Sequence, residues 1–396
     1  MKRFSLLALV LFLSSTAFPV DLQLGGSLKN DAALNLPDKD FILGGFAFEA
    51  NLDASQDASV LNLDAAFSYD ALSQDDPLSF KVKEAWYDYA TSFWSVRIGR
   101  QINAWGKADG LSVCDILCPK DYTALLLDDY TESRLGIDAA RLSISYKAFS
   151  ADAYWIPFFT PAILPQTINT IQPERKIENS EYALRLSAYL PFADFSLYGF
   201  YGYDDEPLLN YTGFPDISGK FEKMTMVGAD AAIPFGQMVL RLEAAFFPKR
   251  KFALSATRQV QALLTGKSTF TSKKNEVTAL AGIDWMPSFI TMTAQYYCDY
   301  LFEDSQDIDR EDSFLHQATL SLSKSFFSET LTVDFSGIIE LNEFSSFLHL
   351  KADYAASDQI SFYLGYAWFL AGPDKDGAYG LYKDMTSLLF GGKYSF

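Results

Sequence analysis

Residues Thr386 to Phe396 read TSLLFGGKYSF, and the chain stops on Phe396. Counted in twos, Leu388, Phe390, Gly392, Tyr394 and Phe396 fall on one face. Ser387, Leu389, Gly391, Lys393 and Ser395 fall on the other. An apolar face ending in aromatics, backed by small and charged groups, is the period of a half-solvated strand. A water-soluble sandwich would hide such a face in its core. A barrel in a membrane would turn it to lipid. The choice rests on whether the rest of the chain cuts into similar strands.

Alternation, with Gly, Pro, Asn and Asp clusters as breaks, predicts strands at 20–28, 40–52, 58–70, 78–90, 92–101, 136–147, 148–156, 179–190 and 192–203. It continues at 222–234, 236–247, 276–286, 288–299, 314–325, 328–340, 344–355, 358–370 and 384–396. Connections after the even-numbered strands are tight, as at Ala90-Thr91, Pro191, Phe235 and Pro287. Most of the others are long: 102–135, 157–178, 204–221, 248–275, 300–313 and 371–383. A soluble all-β chain has no reason to segregate its loops, whereas membrane barrels place short turns on one side and long loops on the other. The expected architecture is one antiparallel up-and-down barrel of 18 strands over residues 18–396. Sixteen is the rival count, because 341–343 is short for an outer loop.

Composition agrees. Hydrophobic residues make up 49% and aromatics 16%, with 34 Phe and 22 Tyr, yet no helix-length apolar run follows the N-terminus. Lys2 and Arg3 precede an apolar run from Phe4 to Leu13 and small residues from Ser14 to Ala17. That order is a secretory signal over 1–17, with Ser15 and Ala17 before the cut. The run is too short to cross ~30 Å of hydrocarbon as a helix. The net charge is −18, or −20 without Lys2 and Arg3, which argues against nucleic acid and anionic membrane surfaces as partners. Two His and three Cys leave little material for a metal or haem site, and no cofactor is expected.

Parity turns Leu184, Leu186, Leu240, Leu242, Phe362 and Leu364 to lipid. It turns Arg185, Arg241, Glu243, Asp284, Gln295, Asp334, His349 and Lys351 to a hydrated lumen, since charge against hydrocarbon is costly. These groups either pair across the wall to stiffen it or face solutes.

The stretch Glu84 to Asp121 reads EAWYDYATSFWSVRIGRQINAWGKADGLSVCDILCPKD. A two-residue turn at Ala90-Thr91 would set Glu84 opposite Arg97, Trp86 opposite Ser95 and Asp88 opposite Phe93. Keeping Glu84 inside while Phe80 and Val82 face lipid requires a bulge near Lys83. Gly99 and Gly106 suit unusual dihedrals where a strand turns inward. Arg97 and Arg100 would tie the inward loop to Glu84, Asp109 or Asp115, or else form an anion-selective rung. Asp121 is a further lumen acid, and the apolar 123–129 stretch would seat the loop on the wall. Cys114 and Cys118 could form a loop disulfide in an oxidising compartment, and Cys298 faces lipid. The basic 248–275 and acidic 300–313 loops would neutralise each other or gather anions.

The C-terminal strand ending at Phe396 resembles the closing, assembly-directing strand of bacterial outer-membrane β-barrels. Glu84-Ala85-Trp86, then Arg97-x-Gly99-Arg100-Gln101-x-x-x-Trp105-Gly106, Asp109, Asp115, Pro119 and Asp121, resemble a porin-like outer-membrane family. Its motif loop enters or caps the lumen. The resemblance implies the outer membrane as location, with its lipid and the barrel-assembly machinery as partners. No GxSxG elbow, phosphate loop or HExxH motif supports an enzyme. The expectation is a passive channel for small hydrophilic solutes, with loop 102–135 as its constriction. A non-transporting surface barrel (adhesin or binding protein) and a transporter of apolar molecules stand as alternatives.

Overall fold

The structure, a computed structural model, describes residues 20–396 apart from 74–76, 109, 124–132, 165–168, 212–216, 267–269, 311 and 374–375. It is an 18-stranded antiparallel barrel. The strands are Asp21–Asn35, Phe41–Gln56, Ser59–Asp70, Leu78–Ala90, Trp94–Gln101, Ile137–Tyr146, Phe149–Ile156, Glu181–Leu190 and Ala193–Tyr203. They continue as Lys223–Phe235, Met238–Ala253, Thr271–Trp285, Thr291–Leu301, Phe314–Phe326, Leu331–Glu340, Ser346–Ala355, Ile360–Leu370 and Ser387–Ser395. Each pairs with its sequence neighbour, and the last pairs with the first from Ser27↔Ser395 to Asn35↔Ser387. Phe396 extends the seam by exchanging backbone hydrogen bonds with Gly26, and its ring stacks on Phe48. The 18-stranded barrel is closed and so has no open edge, which is what a chain needs where water cannot satisfy the backbone.

All 18 anticipated strands are present, and 16 is excluded because Leu331–Glu340 and Ser346–Ala355 are two strands joined by residues 341–345. Four strands, the first, second, eleventh and twelfth, run clearly longer than alternation suggested. The first continues to Asn35, because Ala33 and Asn35 are buried between both neighbours. The eleventh and twelfth run to Ala253 and from Thr271, with a bulge between Phe247 and Arg250. The basic run there is therefore strand, and its charges are met sideways. Arg250 pairs with Asp204 and Glu276 at 2.6 and 2.8 Å, and Lys251 with Glu222 at 2.5 Å. Across the two neighbouring outer segments, Lys274 meets Asp307 at 2.5 Å. Mutual neutralisation thus holds in part, with most partners lying elsewhere.

Facing follows the expected parity. Leu184 and Leu186 stand outward, exposed to 43% and 44%, while Arg185 between them binds Asp152 inside. The anticipated bulge sits at Lys83: Asp64 pairs Glu84 and Ala65 pairs Val82, so Lys83 and Glu84 share the lumen side. Lys83 uses that position to reach Glu49 at 2.6 Å.

Candidate functional site

The motif hairpin is the first part of the site, and its register differs from expectation. The turn is Thr91-Ser92-Phe93, because Thr91 Oγ1 accepts the Trp94 N–H at 3.1 Å and donates to the Trp94 carbonyl at 2.9 Å. Ala90 therefore pairs Ser95, Trp86 pairs Gly99 and Asp88 pairs Arg97. The slip is even, so every side chain keeps its face while changing its partner. Arg97 pairs with Asp88 at 2.9 Å, lies 3.7 Å over the Trp86 ring and stands beside Arg141, which reaches the same Asp88 at 3.6 Å. Glu84 instead accepts the Ile102 N–H at 2.6 Å, holding the chain where it leaves the wall.

Arg100 is not in the lumen. It pairs across strands with Ala85 and Asp138, on the outer parity of Tyr87 and Ile98, and binds Asp138 at 3.0 and 3.2 Å near the outer rim. Gly99 is required here by the backbone itself. Its φ is 130°, and a Cβ there would lie 2.2 Å from the Ala85 carbonyl oxygen.

The second part is the loop after that strand, which enters the barrel and closes around one carboxylate. Glu243, on the eleventh strand, is 3% exposed. It accepts the backbone N–H groups of Lys107 (2.5 Å), Ala108 (2.8 Å), Val113 (2.7 Å) and Cys114 (3.1 Å), and the Ser112 hydroxyl (2.9 Å). Gly106 has φ 82°, and a Cβ there would lie 2.6 Å from Glu243 Oε1, so only glycine lets the loop come this close. Beside it, Tyr198 accepts the Gly106 N–H at 3.2 Å and donates to Asp230. Arg241 donates to the Lys107 carbonyl and to Asp284.

Apolar groups complete the seat. Trp105, Val113, Cys114, Leu117 and Cys118 of the loop form one buried cluster with wall residues Tyr154, Phe200, Met226 and Phe247. Trp105 meets Tyr198 and Tyr154 with ring centroids 4.9 and 5.9 Å apart. The 123–129 stretch expected to do this lies, from 124 on, outside the described residues.

Asp115 braces the loop from within rather than meeting Arg97 or Arg100. Its buried carboxylate takes Arg134 at 2.7 Å and accepts the Trp105 N–H at 3.1 Å. Asp121 pairs with Lys81 of the fourth strand at 2.9 Å. Arg185 is held by Asp152 at 2.9 Å and Arg241 by Asp284 at 2.5 Å, both carboxylates of neighbouring wall strands. Asp109 and residues 1–17 lie outside the described residues.

Cys114 and Cys118 are both free, so the candidate disulfide is not formed. Their sulfurs serve different neighbours: Cys114 points to the Ala229 and Ala244 carbonyls of the wall, and Cys118 accepts the Asn103 N–H at 3.2 Å. Burial raises both thiols above their usual range, Cys118 to about 12. The thiolate, the reactive form, is therefore scarce. Both cysteines are expected to resist a thiol reagent at pH 8 in the folded protein and to react on unfolding. Labelling of either before unfolding would contradict the buried placement.

A family model described as "Protein of unknown function (DUF1302)" matches residues 26–335, most of the chain. The chain belongs to that family. No curated protein matches the sequence of this DUF1302 member. Its fold is similar to that of solved outer-membrane proteins. OpdK of Pseudomonas aeruginosa aligns with TM-score 0.58 at 8% identity over 95% of this chain and 99% of that one. OccAB1 of Acinetobacter baumannii gives 0.57 at 7%, over 95% and 96%. OccK8 (OprE) of Pseudomonas aeruginosa gives 0.55 at 10%, over 95% and 98%. At such identities the likeness speaks for the fold alone.

Within the DUF1302 chain, sequence reasoning put Glu243 in the lumen but not at the centre of the site. A lone glutamate in an apolar strand (LRLEAAFF) was the available signal, since a buried carboxylate must find donors. Nothing in linear order says that those donors are backbone N–H groups some 130 residues upstream.

Proposed function

We propose that this protein is a passive outer-membrane channel for small hydrophilic solutes, narrowed by the loop that starts at Ile102. The observation that carries this is the Glu243 cage. A loop drawn inward and fixed by five donors to one wall carboxylate is built to occupy the lumen, not to display a surface outside. The wall supports it: outward positions are apolar, and inward ones carry ion pairs and hydroxyls suited to a wet interior. Barrels of 16 to 18 strands are wide enough for an aqueous path. Export through a leader over 1–17 and insertion by the barrel-assembly machinery through the strand ending at Phe396 belong to the same proposal.

Purified, folded protein in a planar bilayer is expected to give stepwise, ohmic conductance. A protein that inserts and never conducts would sink the proposal and favour a surface-binding role.

A further inference from the structure

The inward loop is anchored between the fourth and the eleventh strand, at Glu84, Arg141, Tyr154, Tyr198 and Glu243. Half-way round the closed sheet, on the sixteenth and seventeenth strands, the lumen wall carries a path of rings. At the mouth, Tyr382 lies 5.9 Å from Phe369, and Phe369 lies 4.6 Å from Phe347, its register partner. One step down, His349 lies nearly parallel to Phe347, with ring centroids 6.4 Å apart. Below it, Lys351 stands 5.1 Å over the ring of Tyr363. The path from Phe347 to the level of Asp353 covers roughly 20 Å at the usual strand rise.

The floor under these rings is small. Phe347 and Tyr363 pack on buried Ala33, Ala367 and Leu389. A Cβ on Gly391 would fall 2.6 Å from the Tyr363 ring, so this glycine lets the ring lie against the wall. Their other sides are half-exposed to the lumen. Beside the rings stand hydrogen-bonding groups of both kinds: Asp31 accepts the Tyr363 hydroxyl at 2.8 Å, and Lys351 pairs with Asp353 at 3.2 Å.

We propose that this ring path is a sliding track for neutral, ring-shaped, hydroxyl-rich solutes, the chemistry of sugars. An aromatic face carries negative charge density. It attracts C–H groups made positive by neighbouring oxygens, as on the flat side of a pyranose. Carboxylate and ammonium groups alongside accept from and donate to hydroxyls at the ring edge. The opposite wall does not select an anion, because Arg97, Arg141, Arg185 and Arg241 are each already held by a carboxylate.

The inference rests on the channel proposal, and its test separates the two. Maltotriose added to a conducting bilayer is expected to reduce ion current in a concentration-dependent way, while the acyclic hexitol sorbitol and the aromatic anion benzoate are not. The double variant Phe347→Ala/Phe369→Ala should raise the half-blocking concentration at least tenfold, and the outward-facing Phe362→Ala should leave it unchanged. Block by benzoate alone, no block by maltotriose, or block indifferent to the double variant would each overturn the track. Calorimetric titration of the detergent-folded protein with maltotriose reads the rings without conduction. Binding lost in the double variant supports the track even if the protein never conducts, whereas conduction without binding sinks the track alone.

Discussion

Replacing Glu243 by alanine is expected to raise single-channel conductance severalfold while the barrel stays folded. The wall is held by strand pairing that does not involve this side chain, so the loss falls on the loop. Five donors lose their acceptor together, four of them backbone N–H groups with no other acceptor among the described residues. Hydrogen bonds to a charged group contribute roughly 1.5–3 kcal/mol each, and buried donors left unsatisfied add to the cost. Even with strong non-additivity, a loss of about 4 kcal/mol in loop anchoring is expected. Glu243→Gln should release the loop too, because its amide sets two donors against backbone donors. Conductance and protease cleavage within 102–120 of the folded barrel report the change. If neither moves in either variant, the apolar seat around Trp105 holds the loop unaided.

The second large effect is expected at Asp88. This carboxylate stands between Arg97 and Arg141, which face each other across paired strands. Asp88→Asn leaves two guanidinium groups side by side in a partly buried wall. Breaking a buried pair by removing one partner costs about 3–5 kcal/mol, and partial exposure here sets the expectation near the lower end, about 3 kcal/mol. Arg97→Leu should cost less, since Arg141 still reaches Asp88. The double variant Asp88→Asn/Arg97→Leu should recover part of the loss. Urea midpoints in detergent measure the stability, and reversal potentials under a salt gradient should move toward anion preference in Asp88→Asn. Wild-type stability together with unchanged selectivity in Asp88→Asn would show that the triad is not coupled.

Alternation, loop segregation and parity were enough to place 18 strands, to divide lipid from lumen and to require the bulge at Lys83. Each depends on period two, which is local, and on the high cost of charge in hydrocarbon, which is general. The closing strand could be recognised because Phe390, Tyr394 and Phe396 repeat on one face. Gly99 and Gly106 were legible as backbone exceptions, since few other residues tolerate positive φ.

What linear order left open was which charges meet. Hairpin register depends on how Thr91 closes a turn, and a slip of two residues per strand moved Arg97 from Glu84 to Asp88 without changing its face. Arg100 left the lumen for the outer rim, and the two loop cysteines turned to separate neighbours. The Glu243 cage and the ring path opposite it join groups far apart in sequence, at positions set by barrel closure. Faces follow from a repeat of two residues, whereas partners follow from how far each strand slides before the sheet closes on itself, and only the folded barrel decides that.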